Sequence, residues 1–454
     1  MSLGRRSDRA TTEDLFISYS DLPRGPSHPF YTRLDKILRK HDFDPFCEEL
    51  CAAYYAEDMG RPSIPPGVYF RMLMIGYFEG IKSERGIAWR VADSKSLEGF
   101  LGYKMTEGTP DHSSLSRIRH RLSLEAHKQV FAKVLEILKK EGLLKGKKIG
   151  LDASNIEANA AMRSIRRKID GKRYEAYLKA LAKQSGLEEP TKEDLSRFDR
   201  GRPGKSCSNK VWESPTDPEA KVTKMKDGRT HLAYKPEHSM DLETGAMVSA
   251  VIHPADQGDS ETMWETLAEA SENLSTVEEV TENGENILQE YVADKGYHSA
   301  QVLADLEEVG IRSYISEPDR GRRKWKGKEK EQKAVYANRS RMKRQKAKGL
   351  HKKRAEILER SFAHLLDSGG MRRALLRGRE NIWKRYLIHA CAFNLSLVMR
   401  QMYRAGTPRG LEALIRLFLR HLFGLLCCVR SRLPFSEPES ALSPQNGLNL
   451  QFVH

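Results

Sequence analysis

The chain has 454 residues, with 77 Lys plus Arg against 62 Asp plus Glu, a formal net charge of +15 and a pI of about 9.4. That length allows two or three domains and a sizeable core, and the basic balance predicts salt-sensitive binding to an anionic partner such as nucleic acid, a charge that ribosomal and membrane-surface proteins share. Six scattered cysteines, Cys47, Cys51, Cys207, Cys391, Cys427 and Cys428, exclude a disulfide framework and a four-thiolate zinc site and suit a reduced compartment.

Residues 1–29 read as a loose polar arm with Pro23, Pro26 and Pro29, and its start, MSLGRRSDRATTEDLF, lacks the apolar stretch of a signal peptide. Residues 30–145 are helical by pattern. Pro65 and Pro66 precede a helix over Val68–Gly80; Ser83 with Glu84 opens a short helix through Ala88, Trp89 and Val91; Pro110, Asp111 and Ser113 open another with Leu115, Ile118 and Leu122 on one face. Two short helices joined by a turn, the second carrying Arg117, Arg119, His120 and Arg121, predict a helix-turn-helix, the alternative being a plain bundle with a basic exposed face.

From Lys147 the pattern changes to alternating strand and helix. Lys148–Ser154 reads as a strand; 161–229 is dense in charge, with a helical run at Tyr174–Leu181 and a Gly, Pro and Ser-rich stretch near Gly201–Ser208. His231–Leu242 and Gly245–His253 read as paired strands, Ser260–Asn273 as a helix, Ile287–Asp294 as a strand, Ala300–Val309 as a helix and Ile311–Ser316 as a short strand. Residues 318–350 are strongly basic with Trp325 and Tyr336 interleaved, which fits either a solvated linker or a DNA-contacting loop through Arg322, Arg323, Lys324 and Lys326. Beyond 404, GLEALIRLFLRHLFGLLCCV reads as an apolar helix, broken by Arg416, Arg420 and His421 and too short to span a membrane, before a polar tail from Arg430 to His454.

Three segments carry acids in a pattern suited to metal-dependent phosphodiester chemistry. In KKIGLDASN and LQEYVADKGYHS an apolar run ends in Asp152 or Asp294, which is how a buried strand delivers a ligand to a sheet edge. In RAEILERSFAHLL, Ile357, Leu358, Phe362, Leu365 and Leu366 recur at helical spacing and leave Glu359 at the border of that face, with Glu356 one turn earlier as its rival. Two strand-borne aspartates and a helix-borne glutamate can hold a pair of Mg²⁺ ions; a lone acid at a strand end is usually a solvated surface charge, but the apolar runs before Asp152 and Asp294 favour the functional reading. His238, Asp241, His253, Asp256 and Asp259 lack tight ligand spacing, Lys295, Tyr297 and His298 are candidates for a supporting role, and Ser154 has no His/Asp partner arrangement.

PDHSSLSRIRHRL (110–122), GLDASNIEANA (150–160), AYKPEHSMDLETGAMVSAVIHPADQGD (233–259), ADKGYHS (293–299) and ERSFAHLLDSGGMRRALLRGRENIWKRYLIHACAFNLSLVMR (359–400) follow one another in the order found in a known family. On these stretches the chain resembles the DDE transposases of bacterial insertion sequences, in the insertion-sequence-five superfamily. The resemblance implies an α/β fold: an RNase H-like mixed sheet flanked by helices over 146–403, with insertions at about 161–229 and 318–350, an all-helical N-terminal DNA-binding domain over 30–145 and an atypical tail over 404–454. It puts the catalytic, metal-holding acids at Asp152, Asp294 and Glu359. It further implies two Mg²⁺ ions, with Mn²⁺ able to substitute, and double-stranded DNA as partner, both terminal inverted repeats and target. A homodimer or larger assembly on DNA and a cytoplasmic, nucleoid-associated, non-membrane setting complete the expectation. Many relatives carry an arginine four residues before the glutamate and a lysine seven after it, on DNA phosphates; here Ala355 and Leu366 stand there, leaving Arg354, Arg360, Arg372 and Arg373 to make such contacts. The expected activity is strand cleavage followed by strand transfer; a catalytically inactive DNA-binding regulator and a stand-alone RNase H-like nuclease are the alternatives.

Overall fold

The computed structural model describes residues 27–56, 63–104, 106–203, 208–225, 228–277, 288–319, 321 and 323–432. The expected arm, apart from its last residues, lies outside them, as do Arg322, Cys207 and the tail from 433.

The N-terminal region is helical: α1 (Pro29–Lys40), α2 (Phe43–Cys51), α3 (Pro66–Glu79), α4 (Glu84–Ala92), α5 (Lys95–Phe100), α6 (His112–Arg121) and α7 (Leu124–Lys140). The starts follow local chemistry. Pro29 and Pro66 sit in first turns, where no amide donor is needed, and Ser83, Asp111 and Ser123 accept the amides of Gly86, Ser113 and Ala126. Helix α3 is buried along its length from Gly67 to Phe78 and keeps one charge inside, Arg71, whose guanidinium reaches Asp35, Asp44 and the Phe100 carbonyl. The expected direct turn between the two short helices is corrected: α5 stands between α4 and α6, although α4 and α6 do touch.

Then follow β1 (Lys148–Ala153), β2 (Ile156–Glu157), β3 (Arg166–Arg167), α8 (Tyr174–Gln184), α9 (Lys192–Gly201), β4 (Trp212–Glu213), β5 (Lys221–Lys224), β6 (Thr230–Asp241), β7 (Met247–Pro254), α10 (Asp259–Val277), β8 (Glu290–Ala293), α11 (Ala300–Glu308) and β9 (Arg312–Ile315). The main sheet runs β2-β6-β1-β8-β9, with β5 and β7 also on β6. Strand β1 is antiparallel to β6 and parallel to β8, which is parallel to β9. This mixed sheet flanked by helices is consistent with an RNase H-like domain. The charged segment after β2 forms a β3-β4 ribbon and a helical pair, α8 and α9, around a small core of Leu178, Ala182 and Leu195.

The chain closes with α12 (Glu329–Met342), α13 (Gln345–Phe362), a π-helical turn at Ala363–Ser368, and α14 (Arg379–Tyr403). The basic run expected as a linker or loop is therefore largely helix. Helix α14 is buried from Ile382 to Met399 and packs on α3, α7 and β7. Its Asn394 brackets Met247, accepting from the backbone N–H and donating to the carbonyl at 2.9 Å each, and Trp383 Nε1 donates to the Ala250 carbonyl at 2.7 Å. The N-terminal helices and the sheet thus belong to one compact unit that ends at Pro408. The unit from Arg409 onward contains most of α15 (Pro408–Arg432), where Leu414, Ile415, Leu417, Phe418, Leu419 and Phe423 are exposed. Among the described residues no helix is long and apolar enough to cross a membrane.

Candidate active site

Ile149 and Leu151 are fully buried, so β1 is fixed in the sheet and Asp152 emerges where it ends. Its parallel partner pairs Lys148 with Glu290, Ile149 with Tyr291 and Gly150 with Val292. Continuing that register two residues sets Asp152 level with Asp294, at the carboxyl ends of two parallel strands, the usual place for ligands on such sheets. Asp294 caps a single 3-10 turn, Lys295–Tyr297, and its Oδ1 accepts from the Lys295 amide at 2.5 Å. Gly150 makes the close packing possible, since a Cβ there would meet Leu242 Cδ2 at 2.6 Å.

Asp152 is about one-third exposed, and Arg354 Nη1 of α13 lies 3.1 Å from its Oδ2 while donating to the Leu151 carbonyl at 3.0 Å. Burial pushes the Asp152 carboxyl up, opposed by the Arg354 charge and the Ala153 amide and reinforced by the negative charge of Asp294. Both side chains offer hard carboxylate oxygens, the donor type that Mg²⁺ takes. The aspartate pair therefore fits such an ion. Among the described residues, no three His, Cys, Asp or Glu side chains are gathered into a cluster that could hold a metal.

Glu359 is exposed on α13, about 140° around the helix from Arg354. Burial and the neighbouring Arg354 charge pull His351 on the same helix below its ordinary range, with the charge of Asp294 a smaller opposing influence. Glu356 is turned toward Arg360, 3.7 Å away. The end of α13 is fixed on β6 by His238, which stands opposite Asp152, stacks on Phe362 with ring centroids 3.8 Å apart and lies 3.4 Å from Ser361 Oγ. Burial pulls His238 down to about 3, so it is neutral.

Beneath the Asp294 turn lies a polar network that the sequence pattern does not reveal. Glu237 on β6 is fully buried and accepts from Tyr297 Oη (2.8 Å), Thr262 Oγ1 (2.9 Å) and Thr266 Oγ1 (2.5 Å). Burial alone would raise its pKa, but hydrogen bonds from His253 and Thr266 and the charges of His253 and Lys235 bring it below the ordinary range, so it is ionised. Lys235 Nζ donates to Thr262 Oγ1 at 2.9 Å and pairs with Asp259 at 2.7 Å. Asp259 packs on Gly296, where a Cβ would meet Asp259 Oδ2 at 2.3 Å. Asp259 and His253 are thus scaffold for the turn.

The basic residues divide. Arg117 and Arg121 are exposed on α6, Arg117 against Ser113 and Arg121 over the Tyr55 ring at 4.7 Å. Arg119 does not share their face: it is buried and donates to Glu84 (2.8 Å), Asn381 (2.7 Å) and Ser116 (3.1 Å). Arg354 is likewise buried on Asp152, not free on the surface. Arg360, Arg372 and Arg373 are exposed, within ion-pair distance of Glu356, Asp367 and Glu157. Arg323 lies 2.9 Å from Glu317, Lys324 and Lys326 are exposed, and Trp325 and Tyr336 face each other with centroids 6.4 Å apart. Leu366, the position where the resemblance implied a lysine in many relatives, is buried core.

Residues 21–121 match the family model described as Transposase domain (DUF772), and residues 203–395 match Transposase DDE domain. Asp294 and Glu359 fall inside the second match and Asp152 between the two. Neither the curated proteins nor the solved structures gave a match to the chain.

Proposed function

We propose, on the premise that these two matches support a DDE transposase, that the protein binds the ends of a DNA element, cleaves strands there and joins the freed 3′-hydroxyl to target DNA. The observation that carries the reading is the parallel pairing of β1 with β8 as far as Gly150 and Val292, a register that, carried two residues further, would set Asp152 beside Asp294, with α13, which bears Glu359, packed on both strands. Asp152, Asp294 and Glu359 are the residues that would hold divalent ions, Mg²⁺ with Mn²⁺ able to substitute, and such ions supply activation of the attacking oxygen and stabilisation of the leaving one when bound. The chain's own part is positional. Arg354 holds the Asp152 carboxylate, Glu237 and Tyr297 hold the Asp294 turn, and exposed Arg117, Arg121, Lys324, Lys326, Arg360, Arg372 and Arg373 supply positive charge for DNA phosphates. Two element ends must be brought together, so assembly as a dimer or larger on DNA belongs to the proposal.

The decisive test is strand transfer of a pre-cut element end into a plasmid by the purified protein with Mg²⁺ or Mn²⁺. Joined product supports the transposase. Cleavage without joining under either ion points to a nuclease, and binding without either to a regulator.

A further inference from the structure

A cavity of about 210 Å³ lies where the start of α4 meets the loop between the π-helical turn and α14. Its lining is strongly basic: Lys82, Arg85 and Arg373, all exposed, stand at the rim with His112, and Arg385 of α14 contributes from below. Arg385 is 4% exposed; its Nη2 donates to the Ile81 carbonyl at 3.2 Å, while Nε and Nη1 have no hydrogen-bond partner. Gly76 makes room for it, since a Cβ there would meet Arg385 Nη2 at 2.4 Å.

Among the described lining residues the one carboxylate is Glu84, which is bonded to Arg119 Nε at 2.8 Å and whose charge also favours the cationic form of Arg385. Arg373 lies 3.7 Å from Glu157, a loose contact, and His112 leans on Asp111 at 2.9 Å and on Arg85 at 3.5 Å. Burial pulls Arg385 down only to about 10, so it stays charged near neutrality. A buried guanidinium is stable only when paired and hydrogen-bonded. The nine-residue α4 also points its N-terminal end here, through Ser83 and Glu84, adding partial positive charge. The loop is pressed into place by Gly369 and Gly370: a Cβ on Gly370 would meet Lys82 Cγ at 2.9 Å, and one on Gly369 would meet Tyr77 Cδ2 at the same distance.

We propose that this cavity binds a phosphate group, with Arg385 as its floor and Lys82, Arg85 and Arg373 as its rim. Two sources share that chemistry, a phosphodiester of the DNA backbone and free inorganic phosphate. The DNA source rests on the transposase reading; the phosphate source does not.

The test is thermal melting in inorganic phosphate against chloride at matched ionic strength. The protein, Lys82→Ala, Arg85→Ala and Arg373→Ala variants, and Arg385→Met are compared. A saturable rise in Tm with phosphate, weakened in the rim variants and lost in Arg385→Met, is expected; should Arg385→Met fail to fold, the rim variants carry the test. The same proteins are titrated with a random-sequence duplex at several salt concentrations. If the backbone is the source, the salt slopes of Lys82→Ala and Arg85→Ala, residues outside the DNA-facing charge proposed above, fall by about one for every DNA phosphate that is no longer neutralised, and phosphate competes with the duplex. An unchanged slope in variants that have lost the phosphate response assigns the site to free phosphate. Rim variants that match the parent protein toward both phosphate and duplex overturn the site. No readout depends on strand cleavage, so an inactive protein would defeat the transposase reading and leave this one standing.

Discussion

Arg354 Nη1 stands 3.1 Å from Asp152 Oδ2 and shares its proton donors with the Leu151 carbonyl, so a single guanidinium ties α13 to the end of β1. Replacing Arg354 with Met keeps the apolar stem and removes the charge. With Asp152 one-third exposed, the loss is discounted from that of a fully buried pair and expected at about 1–3 kcal/mol. Urea denaturation reads it, and an unchanged midpoint would show that the contact does not hold the helix.

Ala at Asp152, Asp294 or Glu359 is expected to abolish divalent-ion-dependent cleavage and leave duplex binding largely intact, because a ligand is lost and the basic surface is not. Glu356→Ala should retain activity, and chelation followed by Mn²⁺ should restore it in the parent protein. Cleavage surviving in any of the three Ala variants sinks that assignment, and loss in Glu356→Ala would hand the third role to Glu356.

Tyr297→Phe removes one donor from the buried Glu237 carboxylate and should reduce stability by about 1.5–3 kcal/mol, the range for hydrogen bonds to charged groups. Glu237→Leu should be worse, since it takes the acceptor from the hydroxyls of Thr262, Thr266 and Tyr297. A double-mutant cycle of Glu237→Gln with Tyr297→Phe should give a coupling of about 0.5–3 kcal/mol. Simple additivity would mean the two side chains are neighbours without a shared bond.

Acid should weaken the packing of α3 on α7. His127 lies between Tyr69 Oη (3.1 Å, to Nε2) and the Ser123 carbonyl (2.8 Å, from Nδ1), and burial pulls its pKa from 6.5 to about 4. The folded form keeps the ring neutral while the unfolded chain takes up the proton first. Its stability contribution is therefore complete above about pH 6.5 and is lost as pH falls toward about 4, by roughly 3 kcal/mol in all. Urea midpoints measured between about pH 7 and about pH 4.5 should fall accordingly, and His127→Gln should flatten that dependence; a slope unaltered by the substitution would place the acid sensitivity elsewhere.

Neutralising Lys324 and Lys326 should weaken duplex binding across sequences and flatten its salt dependence by about one unit of slope for each phosphate released from a lysine. Arg323→Ala should matter less, because its guanidinium lies beside Glu317. Equal effects at all three positions would show that DNA displaces Glu317, and none at any would make the run a solvated face.

The strands of the central sheet are readable because apolar runs such as KKIGLDASN and EYVADKG end in a polar residue where the sheet ends, and β1 does lie between β6 and β8. Their register cannot be read, yet it is what makes Asp152 and Asp294 neighbours across 142 positions of sequence. The basic run hides a helix because α12 buries only Ala334, Val335 and Asn338 among many charges, and Asn338 is held inside by bonding both N–H and C=O of Ile315. Residue type alone groups Arg119 and Arg354 with the surface cations. Spacing holds the missing signal: Arg119 follows Leu115 by four and precedes Leu122 by three, and Arg354 precedes Ile357, Leu358 and Ser361 by three, four and seven, on the buried faces. Glu237 is obscured because β6 carries Lys235, Glu237, His238, Ser239 and Asp241 and still lies inside along that stretch, a strand whose core is made of satisfied polar groups.

Helix α14 also sets the order in which the protein can become complete. The helices α3 and α7 that it covers leave the ribosome first, and the strand β7 against its other side follows, while α14 begins roughly 240 residues after α7 ends. At ordinary elongation rates the delay is on the order of tens of seconds. Throughout it the apolar surfaces of α3, α7 and β7 wait for a partner not yet synthesised, the kind of exposed surface that favours misassembly until it is covered. A chain cut short before α14 would lack the element that packs on both the N-terminal helices and β7.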